Sequence, residues 1–401
     1  MNDILGNGTV TSPSGFLSGS TYAGIKTPGP GKLDLGILSS EAPCAAAGVF
    51  TTNRVKAAPV LLCQQHLKAP RARAIVVNAG CANACTGEIG YRDAQAMAAL
   101  AAEKLGIAAS EVLVASTGVI GQPLPMDKIR AGLRVVALSR DGGHALARAI
   151  MTTDTFPKEA AVTVRLPEGQ FTVGGIAKGA GMIHPNMATL LCFLSTDAAV
   201  EPRFLQRALR RAVDISFNML TVDGDTSTND SVLLLANGLA GGAPVTGGQR
   251  GKAFQDALNA VCVSPAKAIA RDGEGATRRI EVRVEGANST VQARKAARTI
   301  AGSSLVKTAV HGADPNWGRI LAAAGRSGAY LDVGRAEVYL GEICVFKAGK
   351  GMSFDKTAAS AVLKQEEVLI IVRLNLGKGD ATAWGCDLSA EYVAINSEYT
   401  T

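Results

Sequence analysis

Lys178-Gly179-Ala180-Gly181-Met182-Ile183-His184-Pro185-Asn186-Met187-Ala188-Thr189-Leu190-Leu191 joins a glycine-rich, polar approach to an apolar run, with a hydroxyl residue at the junction. Beyond Thr189, Leu190, Leu191, Cys192, Phe193 and Leu194 form a short apolar segment closed by Ser195-Thr196-Asp197, the pattern of a strand buried on both faces. A residue at the head of such a strand is held rigidly. Gly179 and Gly181 permit close backbone approach, and Pro185 and Asn186 favour a turn leading into the Ala188-Thr189 bond.

A β-hydroxyl beside a strained peptide can attack the preceding carbonyl, moving the acyl group from nitrogen to oxygen, and water then releases the ester. The product is a new N-terminal threonine. Its α-amine has a reference pKa of about 7.7–8.0 against about 10.4 for lysine, so a useful fraction is neutral near physiological pH and can act as general base. From the residues alone a plainer reading stands beside this one, in which Thr189 only begins a strand and the glycines only make a turn.

The stretch 178–191 resembles the cleavage and nucleophile motif of the ornithine acetyltransferase family, the glutamate N-acetyltransferases of the cyclic arginine pathway. Further blocks similar to that family follow in order at 78–87, 115–121, 152–155, 221–230, 271–277, 312–319 and the C-terminal end. Each block alone is a weak signal, but together they span almost the whole chain and are specific. The resemblance implies an α+β layered fold of two lobes with a site between them, shared with self-cleaving aminopeptidases and N-terminal-nucleophile-like. It implies self-cleavage between Ala188 and Thr189 into an α chain, 1–188, and a β chain, 189–401, with two copies of each in the assembly. The lobes need not coincide with these chains.

The same resemblance distributes the site roles. N2-acetyl-L-ornithine would donate an acetyl group to Thr189, and L-glutamate would take it from the ester in a ping-pong reaction. Thr117 and Gly118, read by themselves as an ordinary turn after a strand, would supply a hydroxyl and a backbone N–H to the oxyanion. Lys178 can pair with a carboxylate, Glu274 with an amine, and Thr155 can donate or accept. The family assigns all three, with Asn396 and Thr401, to substrate binding. Taken singly, Lys178 and Glu274 also fit solvated charges flanking glycine turns. Thr400 stands where an arginine is common in the family, so one charge near the pocket is missing. Family members differ in whether acetyl-CoA is a further acetyl donor, and no diphosphate-binding signature marks this sequence. The rival activity is a self-processing N-terminal-threonine aminopeptidase or amide hydrolase, with water as acceptor.

Composition narrows the field further. The 401 residues are 47% hydrophobic with 45 glycines, which suits a compact α/β-containing protein with a sizeable core. No run reaches the roughly 18 apolar residues of a membrane span, and 1–20 lacks the basic and apolar regions of a signal peptide. A cytoplasmic protein with no membrane partner is expected. The eight cysteines are scattered, and Cys81 and Cys85 lack a second pair to complete a zinc site, so reduced thiols and no metal or cofactor are expected. The net charge of +7 is dispersed and aromatics are only 4%, which argues against nucleic acid as a partner.

Strands are expected at 74–78, 112–115, 190–194, 231–235, 280–284, 305–310 and 368–374, with a hairpin over 161–166 and 170–173. Helices are expected at 94–105, 126–136, 145–151, 204–214, 293–301 and 355–364, and at 253–272 with an interruption near Pro265. A short edge strand at 393–395 would hold Asn396 at the site. The mixture lacks the regular βαβ rhythm of a doubly wound fold and favours α+β layers. Two lures are set aside. Asp223-Gly224-Asp225 opens like a calcium loop, but Thr228 and Leu234 occupy the positions for glycine and glutamate. The glycine-rich 174–181 lacks the ending and following helix of a P-loop. His184, beside Pro185, suits a structural role in the bend more than that of a base.

Overall fold

A computed structural model describes residues 2–26, 32–184 and 190–398. Ala188, Thr189, Thr400 and Thr401 lie outside the described residues. The described residues build two sheets. The first holds β1 (Asn2–Ile4), β2 (Phe16–Thr21), β3 (Leu35–Phe50), β4 (Arg71–Cys81), β5 (Val112–Val119), β6 (Lys158–Leu166), β7 (Gly169–Lys178), β8 (Leu191–Thr196) and β9 (Ser231–Ala236). Its order is β1-β6-β7-β8-β9-β3-β4-β5, with β2 paired to β3. Only β4–β5 and β8–β9 run parallel. The second sheet holds β10 (Arg279–Ala287), β11 (Glu337–Leu340), β12 (Ile343–Lys347), β13 (Lys350–Gly351), β14 (Glu367–Arg373) and β15 (Gly379–Cys386), in the order β13-β12-β11-β14-β10-β15.

Strand β8 sits in mid-sheet, and its side chains feed two cores. Cys192 and Leu194 pack with the helices Pro202–Ile215 and Gly248–Arg271, whereas Leu191 and Phe193 pack with Ile176, Leu233, Leu146 and Ile150 on the other face. The unbroken apolar run is therefore a two-face strand, as its composition requires. The helix Gly248–Arg271 contacts β6 and β7 of one sheet and β10 and β15 of the other, which makes the fold layered α+β. Helix Pro202–Ile215 follows the same logic at smaller scale. Glu201 caps it by accepting from Arg203 N and Phe204 N, Pro202 opens it, and Leu205, Ala208, Leu209, Ala212 and Val213 form its buried stripe. Arg207, Arg210 and Arg211 are left on the solvent side.

Four expectations need correction. Residues 305–310 lie in a helix, Ser304–His311, because Val306, Ala309 and Val310 recur at helical spacing and are buried together. Residues 393–395 belong to the helix Ala390–Glu398. Their alternation over three residues is too short to tell the two periods apart. Pro265 does not interrupt its helix. Its ring is buried among Val261, Cys262, Ala266 and Ile269, where packing against both sheets offsets a propensity cost of about 3 kcal/mol. Thr117 and Gly118 are not in a turn but end β5, in register with Ala79 and Gly80 of β4.

Candidate active site

The parallel ends of β4 and β5 form one wall of a cleft of about 230 Å³. Ser116 Oγ donates to Asn78 Oδ1 at 2.6 Å, which ties the two strand ends together. Asn229, just before β9, donates through Nδ2 to Ala82 O at 2.6 Å and to Ser116 O at 2.8 Å, so the floor is stitched to the same wall. Gly118 has φ +127°, and a Cβ there would lie 2.3 Å from the Gly80 carbonyl carbon. Only glycine fits this close approach. Thr117 beside it is 4% exposed and faces the cleft.

Opposite, β7 ends at Lys178, whose ammonium donates to Thr152 Oγ1 at 2.6 Å and lies 3.5 Å from Thr117 Oγ1. It also lies 3.9 Å from Asp154 Oδ2. Behind it is a buried ion network that sequence reading missed. Lys158 Nζ donates to Asp154 Oδ1 at 2.6 Å and to Asp272 Oδ2, with 0% of the Lys158 and Asp154 side chains exposed and 3% of Asp272. Asp154 further accepts from Gly179 N at 2.7 Å and Thr152 N at 3.0 Å. Burial alone would raise the Asp154 carboxyl, but the Lys178 and Lys158 ammoniums hold it down to about 2. Burial lowers the Lys178 ammonium despite Asp154.

The remaining wall comes from the 271–277 turn and the last helix. Glu274 N donates to Ala180 O at 2.9 Å, and a Cβ on Gly181 would meet the Glu274 carboxylate at 2.3–2.5 Å, so glycine lets the two segments close together. Asn396 Nδ2 donates to Glu274 Oε2 at 2.9 Å and to Tyr392 O at 3.0 Å. Asp223 also lines the cleft and accepts from Ile183 N at 2.8 Å and from Met182 N. Burial pushes its carboxyl up to about 6, aided by the negative charge of Glu274 and opposed by backbone N–H donors.

The cleft thus unites Thr117, Gly118, Lys178, Glu274 and Asn396 from four distant parts of the chain. Thr155 is placed otherwise. Its N–H and hydroxyl both donate to Asp272, and it lines an adjoining cavity of about 510 Å³, leaving Thr152 and Thr153 on the cleft. Thr189 is peptide-bonded to Leu190, whose N–H donates to Asp230 Oδ1 at 3.0 Å beside the Asn229 floor. Asp230 is fully buried, and burial raises its carboxyl well above the usual range. His184 does not line this cleft. Its Nδ1 lies 3.2 Å from Thr221 Oγ1, and burial, then the charge of Arg298, lower its pKa.

A cleft lined by a buried cation and by carboxylates, beside a Thr-Gly pair, suits an α+β enzyme for small molecules of mixed charge. The chain belongs to the ArgJ family, whose family model matches residues 18–401. It is 57% identical over 400 residues to the arginine biosynthesis bifunctional protein ArgJ of Dehalococcoides mccartyi, covering 100% of this chain and 99% of that one. The corresponding protein of Symbiobacterium thermophilum is 56% identical over 397 residues, covering 98% and 99%. A crystal structure of the Bacillus halodurans protein of that name is 44% identical with a TM-score of 0.50, covering 51% of this chain and 97% of that one.

Two outcomes follow from the site. Lys158→Met leaves Asp154 and Asp272 buried without their shared cation and should cost about 3–5 kcal/mol, read as a lower thermal midpoint. An unchanged midpoint contradicts the network's role. Because the folded-state value of Asp223, about 6, lies above its ordinary value, the stability associated with its neutral form is complete below about pH 4 and lost as pH rises through 6. Asp223→Asn should therefore remove a stability decrease between those limits, measured by thermal midpoints across pH. The same decrease in both proteins would assign it to another group.

Proposed function

We propose that this chain is a glutamate N-acetyltransferase of arginine biosynthesis that cleaves itself between Ala188 and Thr189 and then moves acetyl from N2-acetyl-L-ornithine to L-glutamate. Family membership supports the activity. The observation that carries the site assignment is the meeting of Lys178, Glu274 and the Thr117-Gly118 pair in one cleft also lined by Asn229, whose neighbour Asp230 accepts from the N–H of Leu190, the residue bonded to Thr189.

In the proposed cycle Thr189 Oγ attacks the acetyl carbonyl of acetylornithine, and its proton passes through the Thr189 α-amine to the departing ornithine nitrogen. An acetyl ester remains on Thr189. The glutamate amine attacks that ester, loses its proton to the same α-amine, and Thr189 Oγ leaves with a proton restored. Thr117 Oγ and Gly118 N–H serve the oxyanion in both halves. Lys178 pairs with a substrate carboxylate and Glu274 with an amine, while Asn396 and Thr401 address the amino-acid head. The Thr155 hydroxyl is engaged by Asp272 beside the adjoining cavity, which leaves Thr152 and Thr153 as the residues of that loop that line the cleft. Acetyl-CoA as a second donor, a cytoplasmic setting and an assembly of two copies of each fragment complete the proposal.

Purified protein should separate on a denaturing gel into fragments 1–188 and 189–401, and Thr189→Ala should remain one inactive chain. Cleavage elsewhere, or full transfer activity in the alanine variant, would refute the mechanism.

A further inference from the structure

Apart from the cleft and its adjoining cavity, His184 lines a further cavity, of about 320 Å³, with a basic lining. Lys295 and Arg298 reach it from the helix Thr290–Ala301, and Arg326 reaches it from the end of the helix Trp317–Gly325. Thr299, Ser327 and His184 add polar groups, and no carboxylate lines it among the described residues. None of the three cations makes an ion pair within 4.0 Å among those residues, although Arg298 is half-buried. Burial and the neighbouring Arg294 depress the Arg298 pKa, while Asp214 is the acid that opposes them.

This arrangement is costly unless something anionic occupies it. Arg294 and Arg298 are spaced i,i+4 and Lys295 and Arg298 i,i+3, so the helix carries like charges on one face, which weakens it. The C-terminal ends of the two helices account for part of the positive charge. Each contributes about −0.5, so three full cations leave a net of about +2. Arg294 and Asp214, which do not line the cavity, act on Arg298 with opposite sign.

We infer that this cavity is a binding site for a dianionic phosphate group. Two guanidiniums and an ammonium match its charge, and the Thr299 and Ser327 hydroxyls match its several acceptor oxygens. Its volume exceeds what a free phosphate fills and lies in the range of small-ligand pockets. The site is separate from the acetyl-transfer cleft, with which it shares no lining residue.

The test is isothermal titration of the full-length processed protein with inorganic phosphate and, separately, adenosine 5′-monophosphate, at fixed ionic strength. Wild type is compared with Arg298→Gln and with Lys295→Gln, the latter an exposed side chain whose loss leaves packing intact. Saturable binding that weakens about tenfold or more in both variants is expected, the usual consequence of losing a charge-assisted contact. Tighter binding of the monoester would identify an organic carrier of the phosphate, and equal affinity would identify free phosphate; either supports the site. No saturable binding of either probe, or equal affinity in wild type and both variants, overturns it. Failure of the acetyl-transfer reading would leave this result unchanged, since binding is read directly.

Discussion

Two lysines and two aspartates form a nearly water-free cluster on which the cleft depends. Lys158 lies between Asp154 and Asp272, and Lys178 shares Asp154 from the cleft side. Two positive and two negative charges cancel, which is the condition for burying any of them. The cluster joins pieces that no single element connects: the 152–155 loop, the starts of β6 and the end of β7, and the last turn of the Gly248–Arg271 helix. Lys178 is thereby held at the cleft wall with its ammonium directed at Thr152 and Thr117. A lone lysine at that depth would lose its charge or its position.

Around this anchor the cleft carries charges of both signs. Lys178 lies 3.5 Å from Thr117 Oγ1, and Glu274, Asp223 and Asp225 line the same cleft. A small molecule with a carboxylate and an amine finds complementary partners without any large apolar surface. The packing that permits this is local and strict. Gly118 lets the end of β5 lie close against the backbone of β4, and Gly181 lets the segment before the bend reach the Glu274 carboxylate.

Much of this was legible in the sequence where the signal was local. The apolar runs of β4, β5, β8 and β9, the stripe of Pro202–Ile215 and the alternation of β10 each carry their burial pattern in a few consecutive residues. Short segments were less readable. Val306 and Val310 suit a strand by residue type, and only their spacing with Ala309 marks the helix. The ion network was not legible at all, since Lys158 and Asp272 are 114 positions apart and nothing near either residue announces the partner. Thr155 fell to the same long-range effect: its hydroxyl is taken up by Asp272 instead of facing the cleft. Family resemblance alone carried the assignment of Glu274 and Asn396, and the hydrogen bond that joins them has no signal in the sequence around either residue.

The central claim is that Thr189 carries the acetyl group between two amino acids. Intact-mass spectrometry of the processed protein, incubated with N2-acetyl-L-ornithine and no glutamate, tests it most directly. The fragment beginning at Thr189 should gain the mass of one acetyl group, fragmentation should place it on Thr189, and added L-glutamate should remove it. An unmodified fragment in an actively transferring sample, or an acetyl group on another residue that turns over with glutamate, would contradict the account.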